Sequence, residues 1–206
     1  MNERFLLLPA QRQDQIRNAA MKVFAECGYA NASTLEIARD AGISKGLLFH
    51  YFQNKRELHL SLYRYCTDFV KAELARQRLE GEHDFFRLLL HSQQVKTEIM
   101  GRHRHLFEFL IRAFCEEDPL LRSDLASVDA DLVPDSLASF LAQVDRSRFR
   151  EGVDVEILLK MLLWCADGCM REHFRKSVVD PEAINRDFSE ILKMLQHLLY
   201  RKEIPT

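Results

Sequence analysis

The stretch STLEIARDAGISKGLLFHYF, residues 33–52, constrains the fold of this chain more than any other. Ser33 can cap a helix, and Glu36 three residues on completes a capping box. Leu35, Ile37, Ala38 and Ala41 give that short helix an apolar inner side. Gly42 ends it, because a tight turn needs a residue that tolerates positive φ. Ile43 plugs the angle, Ser44 is a second N-cap, and Lys45 to Phe52 forms the second helix. The pattern is helix, glycine turn, helix.

The rest of the chain also reads as helical. It has 206 residues with only 7 Gly and 5 Pro, which disfavours a fold rich in tight turns. An apolar fraction of 47% with 29% charged residues rules out collagen-like and wholly disordered chains. Residues 1–27 carry Ile16, Ala19, Ala20, Val23 and Phe24 at the helical period, and Gly28 stands where a C-terminal cap belongs. From Asn54 to about Leu79 a longer helix is predicted, with Leu58, Leu62, Tyr65 and Phe69 as its buried stripe and Gly81 closing it. Further helices are predicted at 84–100, 103–116, 119–144, 154–177 and 181–202. Pro119 and Pro181 suit first-turn positions, whereas Pro134 predicts a kink or split in the 119–144 stretch. No strand pattern and no internal repeat is visible.

No apolar run approaches the ~18 residues of a membrane span. The longest, Ile157 to Met170, contains Lys160 and Asp167. Phe5-Leu6-Leu7-Leu8 is too short for a signal-peptide core, so a cytoplasmic protein is expected. Five scattered cysteines, an odd number, point to buried thiols in a reducing compartment. Residues 1–65 hold 9 Lys and Arg against 6 Asp and Glu, while the whole chain is at −2. A basic head on an acidic body suggests that only the head meets a polyanion.

Residues 33–52 fit a DNA-binding helix-turn-helix. Such a unit lays its second helix in a major groove ~12 Å wide while the first crosses the backbone. Ser33 and Thr34 open the first helix, where free amides and hydroxyls suit a phosphate. Behind the Ser44 cap, Lys45 supplies charge, and Gly46 lets backbone approach DNA closely. Leu48 and Phe52 face the small core, with Phe49 and His50 outward. Tyr51 and Lys55 reach phosphates from the flank.

From Ile16 through Leu58 the residues resemble the DNA-binding head of TetR-type (tetracycline-repressor-type) bacterial transcriptional regulators. The matching residues are Ala19-Ala20, Phe24, Gly28-Tyr29, Ala32-Ser33-Thr34, Ile37-Ala38, Ala41 to Gly46, Phe49 to Phe52, Asn54-Lys55 and Leu58. The resemblance implies an all-α fold of about nine helices. A three-helix, homeodomain-like head at 1–52 would precede a bundle at 53–206 that binds a ligand and dimerises. It implies phosphate contacts for Ser33, Thr34, Lys45, Tyr51 and Lys55, and places Lys45, Gly46, Leu47, Phe49 and His50 at or near bases. Leu47 offers only apolar contact, for example to a thymine methyl, and Phe49 lacks the hydroxyl of the tyrosine frequent there.

In the body, Phe69, Phe107, Phe114 and Trp164 are the candidate walls of an effector pocket, with the mid-helix Gly168 beside them. Core packing competes for each of these aromatics. Leu158, Met161, Leu162, Cys165 and Cys169 form one apolar face of the 154–177 helix, and Leu159, Leu163, Ala166 and Met170 another. One face covers its own body and the other meets a partner, and the resemblance makes 154–177 and 181–202 a four-helix homodimer interface. His103 and His105 point about 200° apart on a helix and cannot share a metal. Cys165 and Cys169 share a face, as small core fillers or as a thiol sensor. No cofactor, metal site or catalytic constellation is expected, and hence no enzyme. The function expected is a ligand-responsive repressor on a palindromic operator, released by a small apolar or aromatic effector. The alternative is an architectural or partner-recruiting DNA-binding protein with no effector.

Overall fold

The structure, a computed structural model, describes residues 3–174 and 180–201, with the backbone alone at 131–136. Ten α-helices and one short 3-10 helix make up the described residues, with no strand among them. The first helical stretch divides into α1 (Glu3–Leu6) and α2 (Ala10–Asn31) instead of running unbroken from residue 1. The cause is Pro9, which lacks an amide hydrogen and disfavours helical backbone at Leu8. Gly28 interrupts α2 near its end with φ 71° and ψ 167°. A Cβ there would come within 3.1 Å of the Arg112 guanidinium, which a small shift of that flexible side chain would relieve, so it is the positive φ that favours glycine.

Short α3 (Thr34–Asp40) and α4 (Lys45–Phe52) lead into α5 (Lys55–Arg76) and α6 (Phe85–Arg102). Then come α7 (Arg104–Phe114), α8 (Pro119–Gln143), α9 (Val155–Phe174) and α10 (Pro181–Leu199). The 119–144 stretch is one helix, α8, with Pro134 inside it, and is not split. Asp180 caps α10, accepting from the Glu182 amide at 3.0 Å. Residues 175–177 and 202 of the expected last two helices lie outside the described residues.

Packing gives two compact units, residues 1–72 with 102–131, and residues 73–101 with 132–206. The first therefore joins the helix-turn-helix to α7 and the start of α8, and position 52 falls inside it. Its core holds Ile16, Phe24, Ile37, Leu48, Phe52, Leu58, Leu62, Phe109 and Ile111, all but fully buried. Each such side chain contributes ~1.5–3 kcal/mol of burial. Helix α5 is buried at every position from Leu58 to Tyr63, so it is a central helix and not one with a single stripe. Tyr65 and Phe69, expected in that stripe, are only half-buried.

The second unit has an aromatic and aliphatic core. Phe85 and Phe86 are fully buried with Leu158, Leu162, Phe188 and Leu192 around them. Phe149 stacks edge-on to Phe85 at 5.6 Å and to Tyr200 at 4.9 Å, and bridges Tyr200 through its backbone. Buried Asp84 accepts from Arg148 and from the Arg87 amide, which caps α6.

Candidate nucleic-acid interface

The turn between α3 and α4 is held from both sides. Ser33 Oγ accepts from the Glu36 amide at 3.4 Å, and Ser44 Oγ from the Leu47 amide at 3.1 Å. Gly42 sits at φ 64°, and Arg12 of α2 donates from Nη2 to its carbonyl at 2.7 Å. The Glu36 carboxylate turns to Arg39 at 3.4 Å. In α4, Leu48, Tyr51 and Phe52 are buried, while Lys45, Gly46, Leu47 and His50 are exposed and Phe49 is half-buried. Lys45 Nζ lies 5.8 Å from the Phe49 ring centre. A Cβ at Gly46 would meet only Ser44 Oγ, at 3.9 Å, so the fold itself does not require glycine there.

Three residues depart from expectation. Tyr51 belongs to the core, because positions 48, 51 and 52 make one buried stripe, and the residue is only 8% exposed. Lys55 Nζ donates to the carbonyls of Ala30 at 3.0 Å and Ala32 at 3.2 Å, and lies 4.9 Å from the Tyr29 ring centre. Leu35 is 64% exposed and not on the inner side of α3. Two cations that the sequence did not single out also belong here. Arg12 holds the turn, and Arg4 stands 2.7 Å from His50. Neither lies in a periodic pattern, so nothing in the sequence marks them.

Polar groups of α5 pair with neighbouring helices of the first unit. His59 is 2% exposed and boxed by Phe24, Tyr29 and Phe109 at centroid distances of 4.9, 5.3 and 5.0 Å. Burial, aided by the Lys55 charge, holds its imidazole down at about 4, so it is neutral. Arg56 forms a two-pronged pair with Asp124 of α8 at 2.5 and 2.6 Å. Two turns further along α5, the Tyr63 hydroxyl donates to Asp129 at 2.9 Å, and burial raises that phenol above its usual range. Burial also pushes the Cys66 thiol up to about 12, which makes it inert.

The expected effector residues divide between the units. In the first, Phe107 is buried, Phe114 is at the surface, and Phe69 stacks on His103 at 4.9 Å. Phe69 also lines an open groove of about 560 Å³ with Ser61, Arg64, Tyr65, Asp68 and Ala72, one face of α5. In the second, Trp164 is 64% exposed, and a Cβ at Gly168 would meet nothing within 4 Å among the described residues.

Helix α9 buries Val155, Leu158, Leu159 and Leu162, a different division from the two faces expected. Outward lie Ile157, Met161 and Trp164, with Met194 and Leu198 outward on α10. Cys165 is exposed and Cys169 half-exposed, so they are not core fillers. Buried His173 meets Asp187 at 2.7 Å. Among the described residues no group of three His, Cys, Asp or Glu is placed to hold a metal. No described helix is long and apolar enough to cross a membrane.

Residues 16–62 match the family described as "Bacterial regulatory proteins, tetR family". Over 74 residues, 36% of this chain, it is 38% identical to the HTH-type transcriptional regulator HbdR of Aromatoleum sp. (strain CIB), covering 32% of that protein. The chain spans only about a third of the length of this relative and of the HTH-type transcriptional repressor Rv1474c of Mycobacterium tuberculosis, to which it is 36% identical over 35% of this chain and 38% of that one. In fold it is similar to the fatty acid degradation regulator FadR of Bacillus halodurans, with TM-score 0.72 and 21% identity, over 90% of this chain and 95% of that one. It is similar also to FadR of Bacillus subtilis solved with stearoyl-CoA, with TM-score 0.63 and 19% identity, over 87% and 96%.

Proposed function

From its membership of the tetR family of bacterial regulatory proteins, we propose that this chain is a ligand-responsive repressor that binds a palindromic DNA operator as a homodimer. The observation that carries this is the exposed, capped face of α4, where Lys45, Gly46, Leu47 and His50 all point away from the core. Residues 1–52 read DNA and 53–206 hold the dimer contact and the effector site. Ser33, Thr34 and Lys45 take phosphates, joined by the Tyr51 hydroxyl and the hydrogen that Lys55 has left. Gly46, Leu47, Phe49 and His50 lie at bases. Such a protein works in the cytoplasm, on the nucleoid.

The outward faces of α9 and α10 supply the dimer contact, and two α4 helices then stand about one DNA turn apart, ~34–36 Å. The effector is small and largely apolar or aromatic. The stearoyl-CoA held by the Bacillus subtilis FadR structure supports this chemistry, as does Phe69 on its α5 groove. A ligand lowers DNA affinity only as far as it prefers the non-binding conformation.

The test begins with a duplex selected from a random library by the wild-type protein. A palindromic selected site, and its release by long-chain acyl thioesters or aromatic acids, supports the full reading. Selection of a site that no compound in the panel releases favours the regulator without effector. Failure to enrich any duplex removes the DNA-binding reading.

A further inference from the structure

The residues before Pro9 are built into the reading surface. Helix α1 is a single turn, and a turn of that length has no stability of its own. Phe5 within it is nevertheless fully buried. Its ring meets Phe52 at 4.8 Å and Tyr51 at 5.7 Å, both on the inner side of α4. The Arg17 guanidinium of α2 lies 5.2 Å from the same ring centre. Gln13 of α2 fixes the end of the arm, donating from Nε2 to the carbonyls of Leu6 at 3.0 Å and Leu8 at 2.9 Å.

This docking sets the neighbouring side chain, Arg4, against the outward side of α4. Its Nη1 stands 2.7 Å from His50 Nε2, and both side chains face solvent. A guanidinium only donates, so Nε2 is the acceptor and the ring hydrogen is on Nδ1. Arg4 keeps further donors in the forked geometry that matches phosphate.

We propose that Arg4 is a DNA-contact residue, delivered by the docked N-terminal arm, which takes a backbone phosphate beside the groove and holds His50 in the Nδ1–H form. The proposal rests on the reading of residues 33–52 as the DNA-binding unit. The phosphate contact acts on every sequence alike, whereas the hold on His50 acts on sequence preference.

The experiment measures log affinity against log salt for the full-length protein. The probes are the duplex selected by the wild-type protein and a scrambled duplex of equal length. Arg4→Ala is expected to reduce the slope by about 1 per arm, hence about 2 per dimer, on both duplexes. Arg4→Lys keeps the charge and restores the slope. Arg4→Gln keeps a donor for His50 without the charge, so it loses the slope while keeping the preference between the duplexes. Phe5→Ala undocks the arm and reproduces the slope loss of Arg4→Ala, with thermal unfolding as the check that the head stays folded. An unchanged slope for Arg4→Ala, with Lys45→Ala flattening it, overturns the proposal and leaves the DNA reading standing. A wild-type protein that enriches no duplex overturns both.

Discussion

The outward face of α4 and the outward faces of α9 and α10 are both exposed, yet they are built on opposite terms. On α4 the exposed side chains are placed by polar contacts. Ser44 caps the helix, Lys45 sits by Phe49, and His50 is held by Arg4. On α9 and α10 the exposed side chains include the large apolar Ile157, Met161, Leu163, Trp164, Met194 and Leu198, interspersed with charged ones such as Glu156, Arg186 and Lys193, and Lys160 lies 5.0 Å from the Trp164 ring centre. Several large apolar side chains exposed on two helices suit a site that another apolar surface covers. A face of placed cations and donors suits a polyanion instead. The first face should therefore weaken steeply with salt and the second hardly at all.

The largest effect expected is from Trp164→Glu. It buries an unpaired charge in the proposed contact, and such a charge costs ~3–5 kcal/mol, several hundred-fold or more in association. Light scattering should show a monomer with wild-type helix content, because Trp164 lies outside the core of its own unit. A variant that stays dimeric breaks the comparison, and α9 is then not the contact.

The next effect concerns the buried core of the first unit. His59 has an ordinary value near 6.5 and is held at about 4 in the folded protein. The unfolded chain thus binds more protons between those limits. Stability is fully present above pH 6.5 and falls as the pH drops toward 4, by on the order of 3 kcal/mol. His59 Nδ1 is buried with no hydrogen-bond partner among the described residues, so His59→Phe should keep the aromatic box and remove this slope. Urea unfolding of both proteins between pH 4 and 7 measures it. Parallel curves for variant and wild type would place the acid sensitivity elsewhere.

Lys45→Ala should lower the salt slope of DNA binding by about 2 per dimer and leave the dimer intact. A change in association state with no change in slope would exchange the roles of the two faces.

Much of the α4 face was legible in the sequence, because its determinants are local. Ser33, Gly42 and Ser44 act on backbone within three residues of themselves, and the structure has each doing so. The membership of Tyr51 in the core was not legible. An eight-residue helix has room for one apolar stripe, and the ring of Phe5, arriving from far along the chain, decided which residues it includes. The α9 faces failed for the same reason at larger scale. A helix apolar at Leu158, Leu159, Met161, Leu162 and Leu163 has no polar marker to orient it, and only its neighbours select Leu158, Leu159 and Leu162 for burial. Leu195 shows the consequence. It stands in the apolar stripe of 181–202, but it packs on the second unit's own core, so a charge there would unfold the unit and report little about association.

The smallest effect, and the sharpest division within the α4 side, is expected from Lys55→Ala. By sequence Lys55 is a phosphate ligand like Lys45. In the structure its ammonium donates to the carbonyls of Ala30 and Ala32, which follow the break at Gly28, and neighbours the Tyr29 ring. Removing it leaves two carbonyls to find water, and each such hydrogen bond is worth ~1 kcal/mol net, less where solvent replaces it readily. The variant should therefore lose about 1 kcal/mol of stability, read as a small drop in unfolding midpoint. Its salt slope should change less than that of Lys45→Ala, since at most one of its three hydrogens is left for DNA. An unchanged midpoint with a slope loss equal to that of Lys45→Ala would mean that Lys55 leaves those carbonyls for phosphate on binding. It would then count with Lys45 among the side chains of the salt-sensitive face.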